Sequence, residues 1–237
     1  GILPLLLAFV AVWKSRTRYV WIFSALAVIS LLFVFGTPFY AVLYYLLPGI
    51  KQLHSPFRWV FPYTLSVSVL AGCGVSWLTR NASRPGARSV RLLGKLALVL
   101  GVLGLFGLAL SLGFRDTVSA WGERAMLSLA CAPQAFADGR AFYSYQFRNL
   151  LIFFVALGGG GVALLLSRSR LRLGKVALWE LLAIGVIVGE LFVIGMGFNP
   201  AADPTIIEFE PPVVRFLRQD HELWRFTTFS PSGEKIF

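Results

Sequence analysis

Long apolar runs alternate with short polar stretches along this chain. The apolar runs cover residues 1–13, 19–35, 59–78, 96–114, 150–166 and 176–198. A run of ~20 apolar residues matches the hydrocarbon core of a bilayer, whereas a soluble core rarely needs one. The runs lack the alternating pattern of barrel strands, and a lone strand leaves its backbone unsatisfied in lipid, so each predicts a helix. The run 19–35 is short, roughly 25 Å as a helix. The first run reaches Lys14 after 13 residues, too few for a span. It reads as the end of a span, and the chain as a C-terminal-half piece of a longer protein. The expected fold class is an all-α polytopic membrane protein, with about five full transmembrane helices plus a truncated one.

Charge adds direction to this pattern. The loops 14–18, 79–95 and 167–175 hold twelve Lys/Arg and no acid. The intervening loops and the tail hold ten Lys/Arg and nine acids, and two Glu lie in the last apolar run. Every second loop is thus purely basic, as cytoplasmic loops are under the positive-inside rule. The expected topology places those loops inside and the tail outside. A net charge of +11 could indicate nucleic acid. The excess sits beside apolar runs, however, where anionic headgroups attract it. The expected partner is the lipid bilayer, with no nucleic acid.

The outer segments carry elements of their own. Thr37 and Pro38 read as N-cap and first residue of a short helix over 39–47, ended by Pro48 and Gly49. Its tyrosines, Tyr40, Tyr44 and Tyr45, suit the bilayer interface. Residues 116–130 predict a second surface helix, and Phe142, Tyr143, Tyr145 and Phe147 an aromatic belt. In the tail, Pro211 and Pro212 open a short helix through Gln219, and 223–229 reads as a strand. One helix and one strand cannot bury a core, so they begin an external α+β domain or form a lid on the membrane part. The expected division is a transmembrane bundle over 1–198 and an extracytoplasmic domain from 199 to 237. Gly185 with Gly189, the series Gly101, Gly104 and Gly107, and the run 158–161 mark expected close helix contacts.

Few residues suggest chemistry. Cys73 and Cys131 belong to different depths, and His54 and His221 make no zinc-type set. No HExxH, GxSxG or Walker pattern is present. Lys51, His54 and Arg58 cluster where the third span begins. Arg58 falls in its first turn, where the helix dipole disfavours a cation by roughly 0.3–1 kcal/mol. Cations and a helix N-terminus directed at one place would bind an anion such as a lipid-linked phosphate. The plainer alternative is that Arg58 snorkels to ordinary headgroups. Glu190 is an intramembrane carboxylate, costly and so a functional candidate. It could pair with Arg58, relay protons, line a polar cavity or serve as a structural hydrogen-bond acceptor. Glu180 fits the favourable first turn of its helix, and Asp116, Glu123 and Asp138 read as solvated surface.

The order of motifs carries a resemblance. Leu47-Pro48-Gly49 leads to Ser55-Pro56-Phe57-Arg58, and then a span holds Ala71-Gly72-Cys73-Gly74. Gly189-Glu190-Leu191-Phe192, Gly197-Phe198-Asn199-Pro200, Pro211-Pro212-Val213-Val214-Arg215-Phe216-Leu217 and Trp224-Arg225-Phe226 follow. This order resembles the YfhO-type bacterial membrane proteins, which are similar to the GT-C glycosyltransferases. The resemblance implies a plasma-membrane enzyme that moves a sugar from a polyprenyl-phosphate carrier to an external acceptor. It implies a catalytic acid in the first external loop, upstream of this sequence, so no catalytic residue is named. The Pro56/Arg58 stretch, Glu190 (often Asp in the family) and Asn199-Pro200 match its motifs. Lys51, His54, Arg58 and Glu190 are the expected substrate-binding residues for the lipid-linked phosphosugar donor. No cofactor is identified, although a divalent metal is compatible. A transporter or flippase of a lipid-linked or anionic solute and a non-catalytic scaffold are the competing readings. The clustering of polar residues toward the outer side favours one-sided chemistry over alternating access.

Overall fold

The computed structural model describes residues 1–46, 56–81, 87–169, 171–196, 210, 212–219, 228–229 and 235–236. Two compact units divide the chain, Gly1–Gly195 and Met196–Phe237.

The first unit is a helical bundle. Its helices are α1 (Ile2–Lys14), α2 (Arg18–Val34), α3 (Pro38–Leu46), α4 (Val60–Asn81, entered through a 3-10 turn, Pro56–Trp59), α5 (Ala87–Gly113), α6 (Arg115–Ser128), α7 (Ala132–Ala135), α8 (Gly139–Leu166) and α9 (Leu178–Gly195). By length and composition, four helices among the described residues can cross a membrane: 57–81, 88–113, 139–166 and 178–195. α2 with α3, bent by 91°, makes a fifth if the pair is one broken span. α1 is shorter, with 13 residues. The chain is a multi-pass membrane protein by this measure, and its outward apolar side chains, such as Leu103, Phe106 and Phe192, form the lipid-facing surface such a protein needs.

The short α1 sits at the centre of the bundle. Leu3, Leu7 and Val10 are fully buried, packed with Leu78 of α4, Leu164 of α8 and Ala183 of α9. Small residues permit this approach. A methyl added at Gly74 would strike the Leu7 carbonyl, so α1 and α4 touch backbone to backbone. The same device joins α5 to α8. A methyl at Gly161 would lie 2.6 Å from the Leu98 nitrogen, and one at Gly101 would lie 2.8 Å from the Gly158 Cα. Gly160 faces Leu3 and Leu6, and Gly159 faces Val186. The run 158–161 thus serves α5, α1 and α9 from three sides of one helix.

Several boundaries differ from the apolar runs. α5 begins at Ala87, nine residues before its apolar run, and α8 at Gly139, eleven before. Charged and aromatic residues extend these helices beyond the apolar core without breaking them, since polarity alone does not end a helix. α8 starts where Asp138 accepts a hydrogen bond from the Ala141 amide at 2.7 Å, as an N-cap does. The Thr37 hydroxyl donates back to the Leu32 carbonyl at 2.7 Å, linking the start of α3 to the end of α2. The last apolar run is split. Val176–Ala177 forms β2, paired antiparallel with β1 (Arg172–Leu173). Gly174, at φ +64°, occupies the hairpin position that requires glycine in a II′ turn. α9 follows, and Glu180 at its third residue accepts from the Ala177 amide at 3.3 Å, one half of a capping box.

The second unit contains α10 (Pro212–Arg218) and an antiparallel pair, β3 (Thr228–Phe229) with β4 (Lys235–Ile236). Arg218 bridges Glu210 at 2.9 Å. The expected strand over 223–229 is described only at its last two residues.

Candidate functional site

Glu190 projects from α9 toward α1 and is only 8% exposed. It lies about 18 Å along the helix from Leu178, at 1.5 Å per residue. Both carboxylate oxygens accept from the Ile2 amide, at 3.0 and 2.9 Å. Of the four roles open to it, structural acceptor is the one the geometry displays. No ion pair joins Glu190 to Arg58 among the described residues.

Beside Glu190, a lateral cleft of about 390 Å³ opens between α8 and α9. Leu151, Ile152 and Val155 form one wall, and Gly185, Gly189 and Val193 the other. Gly185 and Gly189 were expected to hold two helices together. A methyl at either meets no atom within 4 Å, so this pair makes the groove instead of closing it. Glu190 lines the groove as its only titratable group. An apolar slot with one polar group accepts a hydrocarbon chain or a flat apolar ligand.

Arg58 lies in the 3-10 turn that opens the third span. The turn is fixed to α2 by Trp59, whose ring meets Phe33 edge-on at 4.6 Å between centroids. Arg58 is exposed and has no ion pair among the described residues. Lys51 and His54 lie outside the described residues, so the expected triad is seen only at Arg58. The matching motif at Asn199-Pro200 also lies outside them.

Two groupings escaped sequence reasoning. Asp116, Glu123 and Asp138, read separately as solvated surface, line one open depression of about 460 Å³ with Arg140. Gly139 brings them together, because a methyl there would collide with the Ser119 carbonyl and Glu123 Cβ. Arg140 pairs with Asp116 at 2.9 Å, both well exposed, a contact that contributes little in solvent. The second grouping lies at the basic end of the bundle, where α4, α8, the hairpin and α9 meet around a cavity of about 450 Å³. Among the described residues, no group of three or more His, Cys, Asp or Glu has the geometry to hold a metal.

Comparison with protein-family models, curated proteins and solved structures finds no match for this chain.

Proposed function

We propose that this chain is the lipid-substrate-holding part of a bacterial plasma-membrane glycosyltransferase of the GT-C type. In this reading it helps transfer a sugar from a polyprenyl-phosphate carrier to an acceptor on the outer face. The observation that carries the proposal is the lateral cleft beside Glu190. It is lined by apolar residues apart from Glu190 and is large enough for a few isoprene units. A second support is Arg58, a cation without an ion pair among the described residues, at the end of a span that the charge pattern assigns to the outer side. A phosphate on a lipid carrier would meet such a cation through charge-assisted hydrogen bonds. The sugar transfer itself rests on the resemblance of motif order to the YfhO-type proteins. The catalytic acid would come from outside this sequence, and the tail 199–237 would be extracytoplasmic.

The test uses the full-length protein in proteoliposomes with a radiolabelled polyprenyl-phosphate sugar. Sugar transfer that Arg58→Ala abolishes, with normal insertion, supports the reading. Full activity in that variant overturns the role of Arg58. Absence of transfer, combined with solute flux that depends on Glu190, would replace the enzyme with a transporter.

A further inference from the structure

The groove between α8 and α9 leads to polar residues on one face of α8. Gly159 meets Val186 at its inner end, and Val155, Ile152 and Leu151 follow along α8 toward the outer end. One turn beyond them stands Arg148, and then Tyr145, both exposed. At 3.6 residues per turn, Gly159, Val155, Ile152, Arg148 and Tyr145 fall within an arc of roughly 80°. We propose that Arg148 and Tyr145 form the headgroup end of this groove. Arg148 holds the phosphate of a lipid whose chain lies between the two helices, and Tyr145 packs on the sugar ring that the phosphate carries. The inference rests on the polyprenyl-phosphate reading above and names the residues that recognise the donor.

The order of side chains along α8 matches the order of groups in such a donor: hydrocarbon, then phosphate, then sugar. Arg148 lies about 6 Å along the axis from Ile152, and Tyr145 about 4.5 Å further, at 1.5 Å per residue. Long side chains on a helix lean toward its N-terminus, so Arg148 reaches outward past the mouth of the groove. It has no ion pair among the described residues, and its planar fork matches two phosphate oxygens. The acid that lines the groove, Glu190, is taken up by the Ile2 amide. Exposed Asn149 stands beside Arg148 and offers amide donors for a further oxygen. The Tyr145 ring is held from one side. It packs against Phe136 at 5.3 Å between centroids, and Phe136 in turn meets Phe142 edge-on at 5.3 Å. Tyr145 is still 55% exposed, which leaves ring surface for the C–H face of a sugar and a hydroxyl for its oxygens. Arg58 stands elsewhere. It opens α4, which packs on α1 and α2, and it does not line the groove. Arg148 is the cation that adjoins the slot for the chain.

The test uses the full-length protein in phosphatidylcholine liposomes and two photoactivatable probes, a polyprenyl phosphate and the uncharged polyprenol of the same length. Arg148→Ala should lower labelling by the phosphate probe roughly tenfold, the size of one charge-assisted hydrogen-bonded contact. Labelling by the polyprenol should be unchanged, which also shows that the groove is intact. Arg148→Lys keeps the charge but loses the fork, and should fall between. Arg124→Ala removes an exposed arginine of α6 outside the groove and should change neither signal. The sugar contact is read by competition. Unlabelled hexosyl polyprenyl phosphate should compete severalfold less well against Tyr145→Ala than against the wild type, while Tyr145→Phe, which keeps the ring, should lose little. Labelling by both probes that ignores Arg148→Ala overturns this inference and leaves the groove as a site for the chain. Labelling by neither probe overturns the lipid-substrate reading together with it. Equal loss in Arg124→Ala, or displacement of the phosphate probe by excess phosphatidylglycerol, assigns Arg148 to ordinary anionic headgroups and overturns the proposal. Undiminished competition in Tyr145→Ala removes Tyr145 from the sugar site.

Discussion

Ile2 and Glu190 stand 188 positions apart, yet the Ile2 amide donates to both oxygens of the Glu190 carboxylate. The contact ties α9 to the first turn of α1, the helix around which the bundle packs. A carboxylate in this setting must be satisfied, because an unpaired polar group inside a bilayer costs several kcal/mol.

Removal of the carboxylate should therefore loosen the bundle. Glu190→Ala should cost about 1.5–3 kcal/mol, the range for hydrogen bonds to charged groups. Glu190→Gln keeps an acceptor of similar shape and should cost less than half as much. Thermal unfolding in detergent, followed by intrinsic tryptophan fluorescence, would order the variants. Equal stability of all three proteins would mean that the contact adds nothing to the fold.

The glycines divide into two sets with opposite expected behaviour. Gly161→Ala places a methyl 2.6 Å from the Leu98 nitrogen and 2.8 Å from the Gly94 carbonyl oxygen. Both are backbone atoms, so α5 and α8 must move apart, at roughly 1–3 kcal/mol. Gly185→Ala and Gly189→Ala meet open space and should leave the melting temperature unchanged or slightly raised, since alanine favours the helix. A matched melt of the three variants decides whether the α5–α8 contact is as close as described.

Much of this was legible in the sequence. The four long spans follow from apolar length alone, and the run 158–161 announced close helix contacts that α8 makes on three sides. Gly185 and Gly189 share the same spacing but face a groove, because spacing gives a stripe on one helix and says nothing of what lies opposite. Helix ends were misjudged at Ala87 and Gly139 for a different reason. The apolar run marks the hydrocarbon slab, while the helix continues into the interface through Arg88, Arg91 and Tyr143. Glu190 stood out as a carboxylate in a span, but its partner is non-local and could not be read. Asp116, Glu123 and Asp138 likewise converge only through the packing of α6 on α8.

Orientation can be checked without any assay of function. Cys131 is exposed beyond the end of α6, on the side that the charge pattern assigns to the exterior. A membrane-impermeant maleimide should label it in intact cells. In a Cys131→Ser background, Lys175→Cys should be labelled only after permeabilisation, because the β1–β2 hairpin lies at the basic end. Labelling of the Lys175 position in intact cells would invert the topology, and would move Arg58 to the inner face.

The cleft beside Glu190 offers the sharpest test of a lipid substrate. Gly185 faces empty space and lines the slot with Leu151 and Val155, so a larger side chain can enter without striking the backbone. Gly185→Leu should fill much of the groove while leaving the fold intact, since leucine is favourable in both a helix and lipid. Cross-linking by a photoactivatable polyprenyl phosphate should fall severalfold in Gly185→Leu. It should persist in Val102→Leu, which changes an exposed α5 position outside the groove. Because Gly185→Leu leaves Arg58 in place, the loss would separate recognition of the chain from recognition of the phosphate. Undiminished cross-linking with a normal melt would show that the isoprenoid does not enter this groove.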